Sequence, residues 1–178
     1  SDFRDELRNT VTAAAVATGT PATGGTLTVG STAGFPATGT IKIGNEKISY
    51  TGLDANGTDF TGVTRGVDGT SASASATAVL NDNSDASGTD DLTAAETTIN
   101  YDGISNGPLP SKGTILIGSE QITYTSNTGS VLSGLTRGAN GTTAAIHADN
   151  ATITLLPEVS LVESIEGLGL ERRHTLIN

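Results

Sequence analysis

One phrase occurs twice in this chain. Residues 39–51 read GTIKIGNEKISYT, and residues 113–125 read GTILIGSEQITYT, seventy-four positions later. A second phrase follows each copy, TGVTRGVDGTSASASA over 61–76 and SGLTRGANGTTAAIHA over 133–148. Self-similarity of this kind means two copies of one structural unit. In each copy Ile and Tyr alternate with polar residues, the period of a half-buried strand, and a two-residue Gly-Asn or Gly-Ser turn separates the halves. The expected fold is all-β: two tandem small β-barrel or sandwich modules, with an N-terminal helical arm and an extended C-terminal tail.

The expected organisation is an N-terminal arm over 1–24, a first β module over 25–80, an acidic linker over 81–96, a second β module over 97–156 and a C-terminal arm over 157–178. Ser1 or Asp2 can cap a helix running through Asp5, Glu6, Leu7 and Arg8, with its acids at the positive end of the helix dipole. TLTV over 26–29 and TTINY over 97–101 match as opening strands, and Phe35-Pro36 and Leu109-Pro110 occupy matching turns. Residues 60–65 and the VLSGLTRG run read as the fourth strands, and 76–80 and 151–155 as closing strands. Residues 81–95, NDNSDASGTDDLTAA, are small, acidic and turn-rich, as linkers are.

Modules of roughly 55 residues bury little apolar surface, about 60% of what the unfolded chain exposes, and gain from docking on a neighbour. With no cysteine in 178 residues, neither disulfides nor thiolate metal sites can add stability. The arms are therefore expected to dock on partners, with Phe3 and Leu7 at one end and Leu161, Ile165, Leu168 and Leu170 at the other as partner contacts. On this reading, removal of residues 1–20 or 158–178 leaves the β modules folded and abolishes assembly. A formal charge of −10 argues against nucleic-acid binding, which needs a basic patch, and favours a basic protein surface. The sequence has no apolar run long enough for a membrane span and no signal-peptide pattern at its start.

Glu46 and Glu120 share a strand face with Ile and Tyr, and Arg65 and Arg137 stand in register with Val63 and Leu135. The spacing predicts a buried or half-buried ion pair in each module, Glu46 with Arg65 and Glu120 with Arg137. A catalytic role for either Glu lacks a second carboxylate or a His nearby in sequence. Gly66, Gly69, Gly138 and Gly141 read as turn residues, since no P-loop Lys-Ser/Thr follows them. His147 reads as a turn residue bonded to local backbone. Two histidines do not make a metal site, and Asp82, Asp85, Asp90 and Asp91 depart from the EF-hand spacing. No cofactor is implied, and no nucleophile, base and oxyanion donor can be placed together, so the chain reads as noncatalytic.

The phrases GTIKIGNEKISYTG, TGVTRGVDGT and SGLTRGANGTTAAIHA resemble a repeat of tailed-bacteriophage virion proteins, a Gly-Phe-Pro turn followed by GTIxIGxExIxYTG and LTGVTRGxxGTxAxxHxxG. The resemblance covers about two-thirds of the chain. The first module departs at Ser75, which stands where the second has His147, and the second departs at Leu109. The resemblance implies a structural component of a virion. A capsid decoration or cement protein on the capsid exterior, bound to the major capsid protein or other virion proteins as a homo-oligomer or on a lattice, suits two compact modules with clamping arms. The alternatives are a tail, neck or baseplate accessory or fibre adaptor, and a host-surface or carbohydrate adhesion module. The scarcity of aromatic residues, 3%, weighs against carbohydrate.

Overall fold

The computed structural model describes residues 9–14, 16, 19–81 and 91–162, and the repeated phrases fold in it as two copies of one hairpin. The described chain is all-β and contains no helix. Its strands are β1 (Asn9–Val11), β2 (Gly25–Thr28), β3 (Gly39–Ile43), β4 (Glu46–Tyr50), β5 (Gly52–Leu53), β6 (Asp59–Val63) and β7 (Thr77–Leu80). There follow β8 (Thr98–Ser105), β9 (Gly113–Ile117), β10 (Glu120–Tyr124), β11 (Ser126–Asn127), β12 (Val131–Ser133), β13 (Thr136–Ala139), β14 (Thr152–Leu156) and β15 (Glu158–Leu161).

In the hairpins Ile43 faces Glu46 and Ile117 faces Glu120, leaving two-residue turns with Gly44 and Gly118 at positive φ. A Gly in the first central position is what a tight type II′ hairpin turn needs. The register puts Ile41, Ile43, Ile48 and Tyr50 on one buried face, and Ile115, Ile117, Ile122 and Tyr124 on its counterpart. Each tyrosine hydroxyl then donates to the carbonyl of the proline in the preceding turn, Pro36 at 2.8 Å and Pro110 at 3.0 Å. Phe35 and Leu109, the residues before those prolines, are both buried.

The strand pairing crosses between the repeats. One sheet runs β1-β15-β3-β4, a second runs β11-β12-β8-β7-β14-β9-β10-β13 and curls as a half-barrel, and a third runs β2-β6-β5. Strand β7 follows the first TRG phrase in sequence, yet it lies between β8 and β14, and its Ala78 and Leu80 belong to the second repeat's core. Strand β15 follows the second repeat, yet it lies between β1 and β3, with Val159 fully buried in the first repeat's core. Only Pro157 separates β14 from β15, so one ribbon supplies a strand to both hairpins, β14 to β9 and β15 to β3. Pro157 has no N–H to donate, and its carbonyl accepts from Thr12 at 3.1 Å.

Three expectations change here. The helical arm expected over 1–24 is not found among the described residues: Asn9–Val11 is a strand paired with β15, and Thr12 bridges to Val29. The β-branched run Thr10, Val11 and Thr12 favours extended backbone, and an open sheet edge supplies its hydrogen bonds. Residues 1–8, including Phe3 and Leu7, lie outside the described residues. The C-terminal arm was expected to be dispensable for folding, but its first strand, β15, is an interior strand of the first repeat's sheet. Leu161 packs against that same core, while Ile165, Leu168 and Leu170 lie outside the described residues. The acidic linker also ends inside the fold: Leu92 is fully buried in the second core, and residues 82–90 lie outside the described ones.

Candidate functional site

The residues singled out for chemistry converge at two equivalent places. In the second repeat, Arg137 Nε donates to Glu120 Oε1 at 2.8 Å and Nη2 donates to Oε2 at 3.0 Å, a two-pronged contact that matches the planar guanidinium to the carboxylate. In the first repeat the same atoms of Arg65 and Glu46 lie at 2.5 and 2.7 Å. Glu46 and Glu120 are each only 1% exposed. The hairpin register dictates this burial, because each Glu occupies the position after the turn on the face that carries Ile and Tyr.

A buried carboxylate needs donors for all its lone pairs, and backbone completes the set. The Gly138 N–H reaches Glu120 Oε1 at 2.9 Å, and the Ala145 N–H reaches Oε2 at 3.1 Å. In the first repeat the Gly66 and Ser73 N–H groups do the same at 3.1 and 2.9 Å. Gly138 has φ 59°, and a Cβ there would stand 2.9 Å from the Thr142 carbonyl oxygen and the Ala144 nitrogen. Glycine is thus required both by conformation and by space. The adjoining Asn140-Gly141 and Asp68-Gly69 pairs, all at positive φ, make the tight turns that bring Ala145 and Ser73 back to the carboxylates.

The arginines also tie down segments entering each repeat. Arg137 Nη1 donates to the Thr93 carbonyl at 2.5 Å and Nη2 to the Ala145 carbonyl at 2.7 Å. Arg65 Nη1 and Nη2 reach the Thr20 and Ser73 carbonyls at 2.5 and 2.7 Å. Each guanidinium therefore joins three pieces of chain: the hairpin, the loop after TRG and the segment leading into the repeat.

His147 was expected to bond local backbone, and this is corrected. Its Nε2 lies 2.7 Å from Glu120 Oε2, and its main chain bridges to Leu92, far away in sequence. In the first repeat the corresponding side-chain donor is the Ser73 hydroxyl, 3.3 Å from Glu46 Oε2. Ser75, the sequence counterpart of His147, turns its hydroxyl to the Val16 N–H instead. The signal for His147 was present in composition: a buried carboxylate with one cation still has lone pairs to satisfy.

Burial by itself raises the pKa of Glu120, but the hydrogen bonds from Arg137 and His147 and from the Gly138 and Ala145 amides outweigh it and hold the group at about 2, below its ordinary 4.5. Glu46 is lowered in the same way, burial opposing and Arg65 with the Ser73 and Gly66 amides prevailing. Both carboxylates are ionised at neutral pH, and each accepts from five donors. Such a group is a fixed anion that organises chain, with no lone pair left for proton transfer. Among the described residues no three His, Cys, Asp or Glu side chains cluster as metal ligands. Asp91 accepts from the Asp149 N–H at 3.1 Å, while Asp82, Asp85 and Asp90 lie outside the described residues.

No known protein family, no curated protein and no solved structure matches this chain.

Proposed function

We propose that this is a noncatalytic bacteriophage virion protein, a capsid decoration or cement protein whose two small β-barrel or sandwich modules bridge capsid subunits on the exterior of the head. The sequence resemblance of the doubled GTIxIGxExIxYTG and TRG phrases to virion repeats motivates the reading. The observation that carries it is the way those phrases are used. Their Glu, Arg and Gly residues are engaged inside the protein in two equivalent anion-centred staples, and their Tyr hydroxyls in bonds to the Pro36 and Pro110 carbonyls. A motif whose polar groups face inward serves as scaffold, and scaffold is what a component of a particle needs from a repeated unit. The partners on this reading are the major capsid protein or other virion proteins, with the chain arrayed as an oligomer or on a lattice.

The test compares purified particles with and without the protein. Heads lacking it should release DNA at lower temperature or lower ionic strength than complete heads, with tails intact. Unchanged head stability together with missing or noninfectious tails would reject cement in favour of a tail, neck or baseplate role.

A further inference from the structure

We propose that the cleft between the two repeats is a docking groove for an extended acidic segment of a partner protein. The cleft encloses about 1170 Å³. One wall is the outward face of the β1-β15-β3 sheet, where Asn9, Ser160 and Lys42 stand in one cross-strand row. The second repeat also lines the cleft, with Lys112, Pro110 and Thr125.

Charge singles this cleft out. The chain has 19 acidic residues against 9 Lys and Arg. Among the described cations, Arg65 and Arg137 are consumed by the buried glutamates, and Lys47 pairs with Asp68 at 3.5 Å. Lys42 and Lys112 form no ion pair or side-chain hydrogen bond among the described residues, and both are exposed in this one cleft. They come from positions that are not equivalent in the two repeats, so their convergence is not a by-product of the duplication. At about 0.15 M salt the Debye length is about 8 Å, and a carboxylate in the cleft senses these lysines more than the remote acids of the surface.

The shape selects a peptide. The volume exceeds the range of about 300–1,000 Å³ usual for a single small ligand. Beyond Asn9 the outer edge of β1 is taken by residues 28–31, through the Gly30 N–H to the Val11 carbonyl and the Ala13 N–H to the Thr28 carbonyl, so an extended segment would lie over the sheet face, across the Asn9–Ser160–Lys42 row. Glu158 lines the same cleft, so carboxylates spaced along a segment fit better than an unbroken acidic run. A nucleic-acid backbone would need a continuous series of cations, which two lysines do not supply.

The inference is independent of the virion reading, because the test uses the purified full chain alone. Fluorescence anisotropy at about 0.15 M salt would follow a short labelled peptide of alternating Glu and Ser, beside the same peptide with Gln for Glu and a labelled oligothymidylate of equal length. The Glu peptide should bind saturably and more tightly than either control. Lys42→Glu with Lys112→Glu should weaken it about tenfold, and the milder Lys42→Gln with Lys112→Gln should weaken it less. Lys47→Glu, opposite Lys42 but outside the cleft lining and paired with Asp68, should weaken it less than the paired cleft substitutions do. All these positions are solvent-accessible, so the variants should fold. Absence of saturable binding, equal binding of the Gln peptide, tighter binding of the oligonucleotide, or indifference to the paired substitutions would each overturn the proposal.

Discussion

Val159→Ala should loosen the first repeat and spare the second. Val159 sits in β15 opposite Thr10 of β1, is fully buried, and belongs to the core that contains Ile41, Ile43, Ile48 and Tyr50. Truncation to Ala removes two methyl-sized groups at about 0.8 kcal/mol each, and the residual cavity brings the loss to about 2 kcal/mol. A loss of that size speeds opening-limited amide exchange about thirtyfold. Ending the chain after Pro157 should do more, since it also removes Leu161 and the Val162 N–H bond to the Thr40 carbonyl, takes from β1 its partner strand and leaves β3 paired on one side alone, with β4. Native-state hydrogen exchange followed by NMR gives the readout strand by strand. Amides of β3 and β4 should lose protection while those of β9 and β10 keep it. Equal loss in both repeats, or none in either, would refute the assignment of β15 to the first repeat.

The remaining predictions concern the buried anions. Arg137→Ala leaves Glu120 buried without its counter-charge and should cost about 3–5 kcal/mol in urea unfolding, whereas Lys112→Ala, at an exposed position with no ion pair among the described residues, should stay within about 0.5 kcal/mol of the parent; equal effects would contradict the burial. Because Glu120 is held at about 2 against an ordinary 4.5, its contribution of roughly 3 kcal/mol is complete above about pH 4.5 and is lost as pH falls through about 2. Urea midpoints between pH 7 and 2 should therefore fall more steeply for the parent than for Glu120→Gln, and parallel profiles would count against the shift. His147→Ala should cost about 1–3 kcal/mol by leaving Glu120 Oε2 short of a donor. Adding Ala145→Ser, which reproduces the hydroxyl that Ser73 supplies in the first repeat, should restore part of that loss, and no restoration would argue that His147 acts through packing.

What the sequence made legible was local. The alternation of Ile and Tyr around Gly44-Asn45 and Gly118-Ser119 dictated both hairpins. The Glu that shared their face required a cation, which the TRG arginine provides. The exchange of β7 and β15 was not legible, because TAVL and EVSL alternate as any half-buried strand does: a period of two identifies a face and is silent about the neighbour. Pro157 read as a boundary, yet it is a joint inside one ribbon that serves both hairpins. Leu92 was hidden by its acidic surroundings, since composition averages over a single buried side chain. His147 was missed for a related reason: Glu120 and His147 are distant in sequence, and the Asn140-Gly141 turn together with the bridge to Leu92 brings them within contact.

The virion reading is tested most directly by locating the chain on a particle. Cryo-electron microscopy of complete particles, compared with particles assembled without the protein, should show difference density arrayed over the exterior of the head at junctions between capsid subunits. Density confined to the tail or neck, or no difference anywhere on the particle, would contradict the assignment to the capsid exterior.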